Sequence, residues 1–449
     1  MKRIIGIMTG NSMDAIDVVA TEFSGNKITD IAFYSADFSQ DMREKMDGIL
    51  RNEKIKKNNI SMEELNNDPI FIKIHDEYIE QVADAVNNML AINNIDKKTI
   101  DAIGFHGKTL DHMGTGAAME KGITPYTLQI GSGQMLANLT GIPVIYDFRS
   151  ADVMNGGEGA PLAPTHNKNL AQHLNLPENI IFFNAGNISN ISLMSGGKLL
   201  GWDAGPFNEF TDKLIRTHTN DAFDKDGKYG KQGTLNTQLL KKLFETGATI
   251  KNEKDNTTIN FITKAQPKSG DPQYFHFDAI SEFKNPVNFN DTVHTAEYFS
   301  GYVAAYTLSL IPENLEQPSD FVLFGGGWHN PVARQAFEDL LSGKGYVLPE
   351  HTHVFEKIVN RFKKQPTFVM SDLGKYMEAR IFADTARYFL ENKKWIPEPI
   401  RANHTPVVLG IKADPNPTAP INDRINTAAN WKHRQSNQSQ KPSRAQCER

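Results

Sequence analysis

The stretch Ile4-Ile5-Gly6-Ile7-Met8-Thr9-Gly10-Asn11-Ser12-Met13-Asp14-Ala15-Ile16-Asp17-Val18-Val19-Ala20 decides how the rest of the chain is read. Apolar runs at 3–8 and 17–23 flank a Gly/Asn/Ser turn, and 27–38 alternates in part. This pattern predicts antiparallel strands joined by a hairpin. The turn is neither a Walker loop nor a dinucleotide fingerprint, because the Gly-x-x-x-x-Gly-Lys spacing is missing. It can still present several backbone N–H groups to one anion, with the Ser12 hydroxyl as a further donor. Asp14 and Asp17 are hard oxygen ligands suited to a magnesium ion. The same residues also suit an ordinary hairpin closed by an Asx-turn.

Working outward, Asp68-Pro69 reads as a cap and first residue of a helix. Ile70, Ile74, Tyr78, Val82, Val86 and Met89 fall on one stripe of it at helical period. Short apolar runs at 102–105, 127–130 and 143–148 read as buried strands. A second strand–turn–strand follows, with runs at 180–183 and 191–194 around the small-residue turn 184–190. Helices are expected at 210–217, 235–246, 295–311 and 371–392, the last capped by Ser371, with a strand at 321–324 before a glycine turn. Strands and helices in this order predict an α/β protein of two related domains with a ligand cleft between them. The expected boundaries are 1–146 plus about 402–413 for the first domain and 147–401 for the second. Residues 414–449, rich in Pro, Asn, Gln and Arg, read as a disordered tail. Gly6-Ile7-Met8-Thr9-Gly10-Asn11-Ser12 and Asn184-Ala185-Gly186-Asn187-Ile188-Ser189-Asn190 are too weakly alike to establish a repeat.

Composition narrows the function class. A chain of 449 residues exceeds one ordinary core, so two domains are the default. The net charge of -5 and the lack of any basic run exclude a nucleic-acid face. The single Cys447 rules out an internal disulfide and fits a reducing, cytoplasmic setting. No apolar run of roughly 18 residues is present, so neither a membrane span nor a signal peptide is expected. A homodimer is compatible with the sequence, which identifies no face for one.

Four further groups of residues can carry chemistry. Asp203 stands before Ala204-Gly205-Pro206, where a rigid turn can hold a carboxylate at a cleft to take a proton; a turn Asp capping the next helix is the plainer reading. Gly325, Gly326 and Gly327 follow an apolar strand and allow close backbone approach to a ligand. Asn330-Pro331 then starts a helix whose N-terminus favours anions. Arg149 ends a buried strand and can bind a carboxylate bidentately. His106, between glycines, is as well suited to a structural role as to ligand contact. Glu378, on spacing alone, is a solvated helical Glu.

Taken in order, these segments resemble the anhydro-N-acetylmuramic acid kinases of the actin/hexokinase/heat-shock ATPase superfamily. The landmarks are Gly10 through Asp17, Gly104-Phe105-His106-Gly107, Thr127-Leu128-Gln129-Ile130-Gly131 and Asp147-Phe148-Arg149. They continue through Gly157-Glu158-Gly159-Ala160-Pro161-Leu162, Asp203-Ala204-Gly205-Pro206, Pro267-Lys268-Ser269, Gly325 to Asn330, and Glu378-Ala379 with Phe382-Ala383. The resemblance implies a two-domain actin-like ATPase (ribonuclease H-like) fold with a central interdomain cleft. It implies a kinase that uses ATP and Mg2+. Such an enzyme opens the 1,6-anhydro bridge of anhydro-N-acetylmuramic acid with water and phosphorylates it to N-acetylmuramic acid 6-phosphate. Asp203 carries over as the general base. Gly10, Asn11, Ser12, Met13, Asp14, Ala15, Ile16 and Asp17 carry over as the phosphate hairpin, with Asp14 and Asp17 at the metal. Asn187, Gly325, Gly326, Gly327 and Asn330 carry over to the nucleotide, and His106, Arg149 and Glu378 to the sugar. The chain departs from the family pattern at Asn11 (for Thr), and at Ala15, Asn187 and Phe207 (each for Gly). Another anhydrosugar such as levoglucosan, or a non-catalytic nucleotide- or sugar-binding role, is the alternative.

Overall fold

The computed structural model describes residues 1–10, 15–50, 62–252, 255–283, 287–364, 366–370, 376–395 and 406–427. The first half contributes β1 (Lys2–Thr9), β2 (Ala15–Ser24), β3 (Lys27–Asp37), β4 (Ala102–Phe105), β5 (Lys108–Met113), β6 (Tyr126–Ile130) and β7 (Val144–Tyr146). The second contributes β8 (Ile180–Ala185), β9 (Ile188–Ser195), β10 (Lys198–Pro206), a small ribbon of β11 (Thr249–Lys251) and β12 (Thr258–Asn260), β13 (Asp320–Phe324) and β14 (Thr367–Met370). Two short strands follow, β15 (Ile411–Ala413) and β16 (Ile425–Thr427).

The two main sheets share one plan. The first runs β15-β7-β4-β1-β2-β3 and the second β10-β9-β8-β13-β14. In each, three strands are antiparallel and two more add in parallel beside the first of them. This is the ribonuclease H-like order, present twice. The repeat that residue identity left unestablished is therefore visible in topology.

Packing explains the order. Ile4 and Ile5 are both fully buried although successive side chains on a strand point to opposite faces. Both faces of the first sheet are thus covered. On one lies α1 (Pro69–Ile92), whose N-cap Asp68 accepts from the amides of Ile70 and Phe71. Its buried stripe includes Ile74, Tyr78, Val82, Val86 and Met89; Ile70 is 72% exposed, and Phe71 takes its place. The second half buries Phe183, Leu193 and Trp202 under α4 (Phe289–Tyr306) and α5 (Pro331–Leu341). α2 (Ala163–His173) packs on β9 and β10, and α3 (Asn208–His218) on α4.

On the other face of the first sheet lies α6 (Met377–Leu390), against β1, β2 and β4. The expected boundary placed these residues in the second domain; the packing places them on the first sheet. Gly6 and Gly104 are register partners in β1 and β4. A Cβ on Gly6 would lie 2.7 Å from the Ala379 carbonyl carbon, and one on Gly104 2.7 Å from that of Phe382. Only glycine lets α6 lie this close. Ile4, Phe148, Leu162, Phe182, Phe324, Ile381 and Phe382 form a cluster contributed by both halves.

The expected disordered tail is corrected in part. Residues 414–427 are placed, and β16 pairs with β6. Their composition lacks apolar period because polar anchors hold them, such as Arg424 on Asp76 and Asp423 on Ser132. Residues 428–449 and Ser371 lie outside the described residues. No helix among the described residues is long and apolar enough to cross a membrane.

Candidate active site

Two cavities lie where the sheets face each other, and a third is lined by the second half alone. The first, of about 220 Å3, is lined by His106, Thr109, His112, Arg149, Asp203, Ser269, Asp271 and Glu378 among others. The second, of about 230 Å3, is lined by Asp17, Asn184, Gly186, Asn190, Tyr376 and Glu378. The two share Glu378, Asn190, Ala163 and Ile381, so they are adjoining lobes of one cleft. The third, of about 400 Å3, is lined by Phe207, Asp212, Phe223, Asp224, Glu297, Gly326, Gly327 and Asn330.

Asp203 sits in β10 where the pairing with β9 slips, at a bulge between Asp203 and Gly205. Bulges re-aim side chains, and this one turns a strand residue into the first lobe. The carboxylate is buried and accepts from the Gly270 amide at 2.7 Å. Burial pushes its pKa up to about 6, against the opposing pull of the Gly270 amide, Arg149 and Lys268. A carboxylate with that pKa is ionised at neutral pH and is a stronger base than a free Asp. Lys268 lies behind it, its ammonium donating to the carbonyls of Ala204, Phe261 and Ile262. Burial pulls its pKa down to about 7.

Arg149 faces Asp203 and Glu378, both of which favour its charged form; burial pulls its pKa down to about 10, so it stays charged. Its Nε donates to His106 Nε2 at 2.8 Å and its Nη1 to the Gly159 carbonyl at 2.7 Å. Because Arg can only donate and a carbonyl can only accept, His106 must carry its proton on Nδ1, which donates to Gly107 O at 2.9 Å. Burial, with Arg149 beside it, holds His106 well below the usual imidazole pKa, so the ring is neutral. It also stacks on Phe382, with centroids 4.6 Å apart. His106 therefore orients Arg149 as well as lining the lobe. Glu378, in the first turn of α6, remains open to solvent in the cleft yet is enclosed by protein, which raises its pKa against the pull of Arg149.

Asn11, Ser12, Met13 and Asp14 lie outside the described residues. Asp17 faces the second lobe, with Oδ1 accepting from Ser35 at 2.7 Å. Gly10 contributes its carbonyl to Lys108 Nζ at 3.3 Å. The Ile16 side chain is buried in the first core, which leaves only its backbone to face the turn. Ala15 pairs with Asp37 within β2, where backbone is extended, so the missing glycine causes no strain.

The second hairpin, 185–188, brings Asn184, Gly186 and Asn190 to the second lobe, whereas the Asn187 side chain is exposed outside it. Gly326 and Gly327 line the third cavity; Gly325 does not, but its φ of 92° and a would-be Cβ 2.5 Å from Asn184 Oδ1 require glycine. Asn330 caps α5, accepting from the amides of Val332 and Ala333, so that helix end is already satisfied. Its Nδ2 donates to Glu297, whose pKa burial and Asp224 push up to about 9. Phe207, the bulkiest departure from the family pattern, has its ring buried edge-on to Trp328 at 5.0 Å. Lys108, Lys268, Asp271 and Glu297 had no motif to announce them as site residues, apart from Lys268 within Pro267-Lys268-Ser269.

The model of the family described as anhydro-N-acetylmuramic acid kinase matches residues 2–354. The chain belongs to this family. It is thus a sugar kinase, an ATP-dependent phosphotransferase. The anhydro-N-acetylmuramic acid kinase of Agrobacterium fabrum is 30% identical over 353 residues, 77% of this chain and 85% of its own. That of Legionella pneumophila (strain Corby) is 29% identical over 348 residues, 76% and 84% respectively. A ROK hexokinase structure from Thermus thermophilus is 13% identical with a TM-score of 0.36, covering 87% of this chain and 99% of its own. Glu378 and β16 lie beyond the matched residues of the family model.

Proposed function

We propose that the protein hydrolyses the 1,6-anhydro bridge of anhydro-N-acetylmuramic acid and phosphorylates the freed oxygen, as in cell-wall sugar recycling. The observation that carries this reading is the adjoining pair of lobes: Asp203 and Arg149 in one, Asp17 in the other, and Glu378 shared. Asp203 removes a proton from water as that water attacks the anomeric carbon. The bond from that carbon to the bridging oxygen breaks, and the oxygen takes the γ-phosphoryl group of ATP, releasing ADP. Arg149, held by His106 and Gly159, orients the sugar and balances the carboxylates around it. Such positioning supplies much of the rate.

The third cavity is the place for the nucleoside, with Gly326 and Gly327 as its open floor. Asp17 fits a magnesium ion, being a hard oxygen donor at the second lobe with one oxygen left after its bond to Ser35. When bound, the ion offsets phosphate charge. The Phe207 ring packs on Trp328 and lines the third cavity, not the lobe that holds Asp203.

A second reading, another 1,6-anhydrosugar such as levoglucosan, is favoured by one observation. The sugar lobe holds three carboxylates, Asp203, Asp271 and Glu378, but Arg149 is its one lining cation among the described residues. A panel of anhydrosugars with ATP, magnesium and 18O-labelled water separates the readings. Phosphorylation of the muramic sugar with label at the anomeric position is expected. Turnover of levoglucosan alone would transfer the activity to that sugar, and phosphorylation without label would refute attack by water.

A further inference from the structure

We propose that the C-terminal strand β16, with Asp423 before it, acts as a positioning element for the sugar lobe, beyond any role in holding the fold together. The inference rests on the sugar-kinase reading of the cleft and concerns a segment the family model does not cover.

The path runs through hydrogen bonds and one close backbone contact. β16 closes a three-stranded ribbon, β16-β6-β5, by pairing Ile425, Asn426 and Thr427 with Ile130, Gln129 and Leu128. On β5, Thr109 and His112 line the sugar lobe. Thr109 stands in register with Gln129, so Asn426, Gln129 and Thr109 cross the ribbon in one row. Gln129 Nε2 donates to Thr127 Oγ1 at 2.6 Å, and that hydroxyl meets His112 Nδ1 at 3.0 Å. Without β16, the outer edge of β6 would lose its ladder partners.

A second branch reaches Arg149. Gly131 donates its amide to Arg424 O at 2.9 Å and accepts at its carbonyl from Asn426 Nδ2 at 2.8 Å. Gly131 has φ of 147°, and a Cβ there would lie 3.2 Å from Gly107 Cα. Gly107 O in turn receives His106 Nδ1, and His106 Nε2 receives Arg149. Asp423 fixes the entry to β16 by accepting from Ser132 Oγ and from the Gln134 amide at 2.9 Å.

The test uses the full-length protein carrying Asn426→Ala or Asp423→Ala. Losing a hydrogen bond of this kind corresponds to about fivefold in an equilibrium constant. KM for the accepted anhydrosugar is therefore expected to rise about fivefold, with KM for ATP unchanged. Asp423→Asn, which keeps an acceptor oxygen, should recover part of the loss. Arg361→Ala is the control, since Arg361 only ties the carbonyls of Ile311, Pro312 and Leu315 far from the ribbon. It should lower stability without moving sugar KM. Amide hydrogen exchange at 106–112 should quicken in the two Ala variants and not in the control. Unchanged sugar KM, or a rise shared by ATP and by the control, overturns the proposal. If the wild type turns over no anhydrosugar, the functional reading fails; exchange at 106–112 then decides the positioning claim by itself, and unchanged protection overturns it.

Discussion

Replacing Gly6 by Ala tests how α6 is seated. The added carbon would lie 2.7 Å from the Ala379 carbonyl carbon, 2.9 Å from the Ala383 amide nitrogen, and closer still to the Ala379 oxygen. All three atoms are backbone, so no rotamer change relieves the overlap. Ordinary contact between carbons is about 3.5–4.0 Å, so α6 must retreat by about 1 Å. That movement loosens Ile381, Phe382, Ala383 and Ala386, all buried against the first sheet or between the halves. Overpacking alone costs about 1–3 kcal/mol, and the loosened helix puts the expected loss near the top of that range, about 3 kcal/mol. This is a large part of the roughly 5–15 kcal/mol by which folded proteins are stable. Glu378 rides on the first turn of α6, and displacing a positioning group by about 1 Å can lower a rate about 100-fold. Urea unfolding and steady-state turnover of Gly6→Ala measure both effects. A wild-type midpoint together with wild-type turnover would refute the seating of α6 and its part in the site.

Three further outcomes are expected. With Asp203 as the proposed base, active only when ionised, kcat/KM should be level above pH about 6, where burial places its pKa, and fall about tenfold per pH unit below; an acid limb near pH 4 would contradict the raised pKa. Arg149→Lys cannot serve both His106 Nε2 and Gly159 O with a planar fork, so sugar KM should rise about tenfold while ATP KM holds, and equal KM values would count against Arg149 as the sugar clamp. Phe207→Gly restores the family residue but removes a ring buried on Trp328, so it should lose about 3–5 kcal/mol in chemical denaturation without faster turnover; a marked gain in kcat would mean that the ring obstructs the site.

What the sequence made legible follows from local physics. The hairpin at 4–20 and the helix after Asp68 were readable because alternating apolar strands and an Asp-Pro cap are local signals. Asp203 and Arg149 were readable by motif, and the fold brings them into one lobe. Other features depend on distant partners. The buried Lys108 donates to Gly10 O and the buried Lys268 to Ala204 O, acceptors far off in the chain that no spacing reveals. The strand of 425–427 is three residues long and anchored by polar side chains, so composition alone reads it as disorder. Phe207 breaks the family pattern, and only the position of Trp328 explains where its ring goes. The pairing of Gly6 with Gly104, which seats α6 and with it Glu378, is a tertiary relation between two ordinary glycines.

The central claim is that Asp203 activates water within an anhydrosugar kinase, and ADP release tests it most directly. Full-length protein with ATP, magnesium and anhydro-N-acetylmuramic acid should release ADP in step with sugar phosphate. Asp203→Asn, which keeps shape but cannot accept the proton, should lose about 100- to 10,000-fold in rate. Undiminished ADP and sugar phosphate formation by Asp203→Asn would contradict the account.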